Sequence, residues 1–296
     1  MNKVLVIVGP TASGKSDLAV KLAKKLDGEV VSADSRQVYT GLDIGTGKIT
    51  KEEMDGVPHH LLDVADPMKR FTVIDYLAHA DKAVDDILKR GKLPIICGGT
   101  GFYIQALIDR TIFPEVSVNE ELRNKLSRKT APELLAMLRE LDPERARAIA
   151  SNPSDSKNIR RIIRAVEVAT AGQKTKPVVA DPIYSPIFIG INPPIETARE
   201  KIYARLLKRL DVGMLDEAAS LHEKGLSWER MDELGLEYRY MARYLQGKIS
   251  KEEMIEKLSI EIGKYAKRQM TWFRRDGRIQ WFDSASNVSI KEKALQ

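Results

Sequence analysis

Eight residues near the start of the chain, Gly9-Pro10-Thr11-Ala12-Ser13-Gly14-Lys15-Ser16, fit the pattern G-x-x-x-x-G-K-[ST]. Glycines in such a loop let the backbone turn successive N–H groups inward around an anion. The helix that follows adds its positive N-terminal end. Lys15 is placed to reach the phosphates, and the Ser16 hydroxyl is a usual magnesium ligand in this pattern. The loop therefore reads as a phosphate cradle. The pattern leaves open whether the phosphates belong to a nucleoside triphosphate or to another diphosphate.

Two further positions could do chemistry beside it. Phosphoryl-transfer enzymes with this loop usually place an acid at the end of a neighbouring strand to help hold magnesium. The strand-like run Leu93–Cys97 ends instead in Gly98-Gly99-Thr100. The run Glu29–Ala33 does end in an acid, Asp34, which suits either the metal role or that of a base at the mouth of the same site. Sites in open α/β sheets lie at the carboxyl ends of strands, where both Asp34 and Thr100 fall. Each also suits a turn or a cap. His59-His60 is a turn packed against the core rather than a metal site, because adjacent histidines point apart and His79 and His222 are isolated. Cys97 is the only cysteine, which excludes a disulfide framework within one chain and points to a reducing compartment.

Charge points to a partner. The formal net charge is +6. Residues 157–176 carry Lys157, Arg160, Arg161, Arg164, Lys174 and Lys176 against Glu167 alone. Residues 257–278 carry Lys257, Lys264, Lys267, Arg268, Arg274, Arg275 and Arg278 against Glu261 and Asp276. Two focused basic stretches suit a polyanion, or simply two solvated helix faces. On a helix, Lys157, Arg161 and Arg164 share one face, and Ile159, Ile162, Ile163 and Val166 another. Lys267, Arg268 and Arg274 bracket Trp272 and Phe273, an interleaving that suits RNA, although aromatics at such spacing also suit a core.

Alternating elements must position these groups. Val4–Val8 reads as a strand, Ser16–Leu26 as an amphipathic helix stopped by Gly28, and Glu29–Ala33 as a second strand. Thr72 and Asp75 form a capping box for a helix to about Arg90, which Gly91 ends. Leu93–Cys97 is a third strand, and the short links imply a parallel sheet covered by helices. Residues 119–128, 131–140, 143–150 and 156–171 read as helices with no strand among them. Pro177, Pro182 and Pro186 punctuate a linker, and Pro186–Ile191 and Ile279–Phe282 read as strands in an otherwise helical remainder. The expected architecture is α/β: a P-loop NTPase-like core, residues 1–115 and 183–296, with a parallel sheet flanked by helices. An all-helical insertion domain, 116–182, interrupts it. No apolar run approaches the ~18 residues that span a bilayer, and no signal peptide opens the chain.

Further segments, taken in order, carry a resemblance: Asp34-Ser-Arg-Gln-Val-Tyr39, Leu42-Asp-Ile-Gly-Thr-Gly-Lys48, Pro58-His-His-Leu-Leu-Asp63, Gly98-Gly-Thr-Gly-Phe-Tyr103, Arg160–Val168 and Lys267–Arg274. From Gly9 to about Arg274 the chain resembles the bacterial tRNA dimethylallyltransferases, or tRNA isopentenyltransferases. The resemblance implies transfer of a dimethylallyl group from dimethylallyl diphosphate to N6 of the adenosine 3′-adjacent to the anticodon. It implies that Gly9, Pro10, Thr11, Ala12, Ser13, Gly14, Lys15, Ser16 and Arg205 bind the diphosphate, with magnesium on Ser16. Asp34 would be the general base, Thr100 a contact to the diphosphate and the reacting centre, and Lys15 a stabiliser of the leaving charge. Asp34, Ser35, Arg36, Gln37, Thr100, Arg123, Arg160, Arg161, Arg164, Lys267, Arg268, Gln269, Trp272 and Arg274 would face the tRNA anticodon stem-loop. It implies a cytoplasmic monomer. The chain departs from many relatives at Gly235-Leu-Glu-Tyr238, where they read Gly-Tyr, and it has no cysteines for the zinc finger that eukaryotic relatives append.

Two readings stand beside prenyl transfer: a P-loop kinase of a small molecule or nucleoside, and a non-catalytic RNA-binding module. The concentrated basic stretches, and a glycine turn where a second acid would be, weigh against the kinase.

Overall fold

The apolar run Val4–Val8 is buried along its whole length and forms β1 (Asn2–Val8), an inner strand of a six-stranded sheet. The computed structural model describes residues 1–153, 155–173 and 178–288; Lys174, Lys176 and Pro177 lie outside them. After β1 come α1 (Lys15–Leu26), β2 (Gly28–Ser32), α2 (Lys51–Met54), β3 (His59–His60), α3 (Val73–Lys89), β4 (Leu93–Gly98) and α4 (Gly101–Ile108). Next follow β5 (Thr111–Ile112), α5 (Glu120–Leu126), α6 (Ala131–Leu141), α7 (Pro143–Ala150), α8 (Ile159–Thr170) and β6 (Val178–Val179). The chain then runs through β7 (Tyr184–Ile191), α9 (Ile195–Asp211), α10 (Met214–Glu223), α11 (Trp228–Leu234), α12 (Leu236–Leu245), α13 (Lys251–Phe273) and β8 (Ile279–Phe282).

The sheet has the order β3-β2-β4-β1-β7-β8, and every pairing is parallel. Side chains alternate across a strand, so β1 supplies both faces. Val4, Val6 and Val8 pack with Tyr76, Val84 and Ile87 of α3 and Ile104 and Leu107 of α4. Leu5 and Ile7 pack with Leu18, Ala19 and Leu22 of α1. A third cluster joins Val38, Tyr39 and Leu42 to α9–α13 through Leu206, Met214, Tyr238, Met241 and Leu258.

Local signals explain the element ends. Thr72 Oγ1 accepts the Asp75 N–H and the Asp75 carboxylate accepts the Thr72 N–H, the reciprocal capping box expected for α3. His59-His60 is strand β3 rather than a turn: it pairs with Val30 and Val31 of β2 and extends the sheet. His60 Nε2 meets Glu29 Oε2 at 2.8 Å.

The chain divides into two compact units: Met1–Ile108 with the chain from Pro182 onward, and Asp109–Asp181. The second has its own core of Leu126, Leu134, Leu138, Ile149, Ile162, Ile163 and Val166. To the four helices expected there the structure adds an antiparallel ribbon of β5 and β6. Ile159, expected on the apolar face of α8, is 41% exposed, because it is the first helical residue and precedes the packed turns. No helix among the described residues is long and apolar enough to cross a membrane.

Candidate active site

β1 ends at Val8, and the chain enters α1 through a loop with two left-handed residues, Ala12 (φ 62°) and Gly14 (φ 84°). Gly14 is the N-cap of α1 and offers no side-chain acceptor, so the first N–H groups of the helix are left for something else. Ser13 is buried, and its Oγ has no hydrogen-bond partner among the described residues. Lys15 folds back, with Nζ donating to Pro10 O at 3.3 Å. Burial lowers its ammonium pKa, opposed by Cys97 and by the nearby Asp34 carboxylate. The loop is thus an array of donors under a half-buried cation, a fit for phosphate oxygens.

Asp34 and Thr100 meet at the carboxyl ends of the neighbouring strands β2 and β4. The chains run so close there that a Cβ on Gly98 would lie 2.2 Å from Ala33 O. Thr100 N–H donates to Ala33 O at 3.0 Å, and Ser35 N–H donates to Thr100 Oγ1 at 3.0 Å. The Asp34 carboxylate turns its own loop, with Oδ1 accepting the N–H groups of Arg36 (2.8 Å) and Gln37 (3.3 Å). Burial pushes the phenol pKa of Tyr265 on α13 upward, and the nearby Asp34 carboxylate pushes it the same way.

Gln269 ties this pair to the phosphate loop. Its Oε1 accepts the Thr11 N–H at 2.9 Å, and its Nε2 donates to Gly99 O at 2.9 Å. Expected on an RNA face, it is instead 6% exposed and spends both amide atoms inside the fold. Its neighbours Lys267, Arg268 and Arg274 point outward. Trp272 is half-buried against Gly101, where a Cβ would come within 2.2 Å of the indole, and Phe273 is buried. So one side of α13 builds the site and the other is cationic.

Arg205 of α9 donates to Thr11 Oγ1. Burial, with the neighbouring Arg209, brings its pKa down to about 10, so it remains charged at neutral pH. Arg209, one turn further on, donates from Nη1 to Gly45 O (3.4 Å) and Glu237 Oε1 (3.5 Å). Burial raises the Glu237 carboxyl pKa. Sequence reasoning named Arg205 but missed Arg209, Glu237 and the inward role of Gln269. The i, i+4 spacing of the two arginines was the signal on α9. Nothing local marks Glu237.

In the second unit, Glu167 is 2% exposed and gathers Arg123 (Nη2, 2.8 Å), the Asn119 N–H (2.8 Å) and Arg164. Arg164 Nη2 also donates to Val116 O at 2.9 Å. Arg123 and Arg164 therefore hold this unit together. Arg161 pairs with Asp155, and Arg160 is exposed. Among the described residues no cluster of three or more His, Cys, Asp or Glu could hold a metal ion.

A strand–loop–helix phosphate cradle at the carboxyl edge of a parallel sheet, flanked by Asp34 and Thr100, defines a P-loop-like α/β protein. The chain belongs to the IPP transferase family, whose model matches residues 37–276. It is 47% identical to tRNA dimethylallyltransferase 2 of Treponema denticola, over 92% of this chain and 91% of that one. It is 40% identical to the tRNA dimethylallyltransferase of Anoxybacillus flavithermus, over 98% and 93%. The crystal structure of the Bacillus halodurans tRNA isopentenylpyrophosphate transferase superposes with a TM-score of 0.72 at 37% identity, covering 100% of this chain and 94% of that one. A eukaryotic dimethylallyltransferase captured acting on tRNA superposes with a TM-score of 0.78 at 25% identity, covering 97% and 75%.

Proposed function

We propose that the chain transfers a dimethylallyl group from dimethylallyl diphosphate to N6 of the tRNA adenosine 3′-adjacent to the anticodon, releasing diphosphate. The observation that carries the reading is the placement of Asp34 and Thr100, joined through Ser35, beside a phosphate loop that Gln269 locks to the same turn.

The allylic C–O bond breaks and negative charge builds on the departing diphosphate. The N–H groups at the start of α1 and the Lys15 and Arg205 side chains meet that charge, and preorganised donors lower the barrier because they bind the transition state more strongly than the substrate. The oxygen donor Ser16 at the start of α1 and the orphaned hydroxyl of Ser13 suit a diphosphate that brings its own magnesium. When bound, magnesium would neutralise part of the diphosphate charge. The adenine amine is a weak nucleophile, its lone pair drawn into the ring. Asp34 keeps Oδ1 on its own loop and offers Oδ2 to orient the amine and take its proton as the C–N bond forms. Thr100 sets the edge of the same mouth.

An adenine can enter only unstacked, so the RNA must be gripped around it. Lys267 and Arg268 on α13 and Arg274 just past its end, with Trp272 beside them, supply cations for the anticodon stem-loop, as do Arg160 and Arg161 of the second unit. Ser35, Arg36 and Gln37 line the mouth. In this reading the chain acts as a cytoplasmic monomer.

The kinase alternative finds no support in the names of the relatives, and the turn after β4 is filled by packed glycines. The test is incubation with unmodified tRNA, labelled dimethylallyl diphosphate and magnesium, without ATP. Label in the RNA is the expected result; ATP consumption with another acceptor, and no label, would sink the reading.

A further inference from the structure

The segment Leu42–Lys48 carries no role in the chemistry above, yet it is heavily tethered. Three consecutive N–H groups, those of Asp43 (2.9 Å), Ile44 (2.6 Å) and Gly45 (3.0 Å), converge on the single carboxylate of Glu217 from α10. Successive inward N–H groups form an anion-binding concavity. Here the anion is supplied from within the chain. Tyr238 donates its hydroxyl to Glu217 Oε1 at 2.7 Å, and a Cβ on Gly45 would lie 2.8 Å from the Tyr238 ring. On its other side the loop lies on Arg209, so close that a Cβ on Gly47 would come within 1.5 Å of Nη2. Gln37 Nε2 then donates to Gly47 O at 3.1 Å.

These contacts make a chain of positions. Glu217 shapes Asp43–Gly45, that segment carries Gly47, and Gly47 holds Gln37, whose N–H lies on Asp34. Arg209 holds the same loop from the helix whose Arg205 holds the phosphate loop.

We propose that Glu217 is a positioning residue for the transfer. Its carboxylate fills a backbone anion cradle at residues 43–45 and so fixes the distance between Asp34 and the phosphate loop. The proposal rests on the prenyl-transfer reading of the site. A carboxylate has two acceptor oxygens for three N–H groups and a phenol, whereas a carboxamide of the same shape turns an N–H₂ toward them. Geometry that moves by a fraction of an ångström costs rate rather than affinity.

Three measurements test this. In Glu217→Gln, the amide hydrogens of 43–45 should lose exchange protection while β1 keeps its own. The single-turnover rate at saturating tRNA should fall about tenfold or more per folded molecule, with tRNA affinity within about twofold of wild type. In Glu217→Ala, the emptied cradle should take formate, so that formate but not chloride raises the rate saturably. If the alanine variant does not fold, the glutamine variant carries the test alone. A Glu217→Gln rate within about twofold of wild type, or a folded Glu217→Ala that formate does not accelerate, overturns the proposal. If the wild-type protein itself transfers no label, the prenyl-transfer reading has failed instead, and amide exchange still reports whether Glu217 fills the cradle.

Discussion

Gln269 accepts the Thr11 N–H at 2.9 Å, joining two residues 258 positions apart in the chain. Through the same side chain the phosphate loop is registered against Gly99, immediately before Thr100. Gln269→Ala should therefore raise the KM for dimethylallyl diphosphate, by about tenfold, and leave tRNA binding close to wild type. Lys267→Ala and Arg268→Ala should do the reverse. Filter binding of tRNA beside steady-state donor kinetics separates the two; tRNA affinity lost in Gln269→Ala alone would put this side chain back on an RNA face.

Removing the proposed base should affect chemistry and little else. Asp34→Ala is expected to retain tRNA but lose ~10²-fold or more in single-turnover rate. A near-normal rate would take Asp34 out of that role.

The arginines of α8 should divide into two groups. Arg160→Ala and Arg161→Ala should weaken tRNA binding and reduce its salt dependence by about one unit of slope for each phosphate left unneutralised. Neither should move stability beyond about 0.5 kcal/mol. Arg164→Ala leaves the buried Glu167 short of a partner and should destabilise the second unit by ~1–3 kcal/mol. Urea midpoints for all three variants check this, and equal midpoints would contradict the pairing.

Stability at low pH should depend on Glu29, at the opposite end of β2 from Asp34. Hydrogen bonds from Arg90, then from His60, hold its carboxyl at about 2 against the opposing effect of burial. An unfolded glutamate titrates near ~4.3, so the unfolded chain takes up its proton first as pH falls. The stabilisation is complete above that value and is lost as pH drops toward 2. Glu29→Gln should flatten this limb, and urea midpoints between about pH 5 and pH 2.5 that fall equally in both proteins would rule it out.

Much of this was legible in the sequence. Strands β1, β2, β4, β7 and β8 were readable from short apolar runs bounded by glycine and proline, and α3 from its capping box, because those signals are local. Asp34 and Thr100 were readable as a pair because parallel strands deliver their carboxyl ends to one edge. What escaped reading depended on distant partners. Glu167 looked like a lone acid in a basic stretch and is the hub that neutralises Arg123 and Arg164. Gln269 looked like one more polar residue among cations, and only the phase of a 23-residue helix decides that it faces inward. His59-His60 becomes a strand because β2 offers a free edge, which the dipeptide itself cannot reveal.

The strand order has a consequence for synthesis. β1 lies between β4 and β7, and β7 is synthesised only after the whole Asp109–Asp181 unit. Until then one side of the phosphate-loop strand is an open edge of buried-type residues, the kind of surface on which nascent chains aggregate. A second unit that folds on its own core shortens the effective loop between β4 and β7, and brings the missing strand back to the waiting edge.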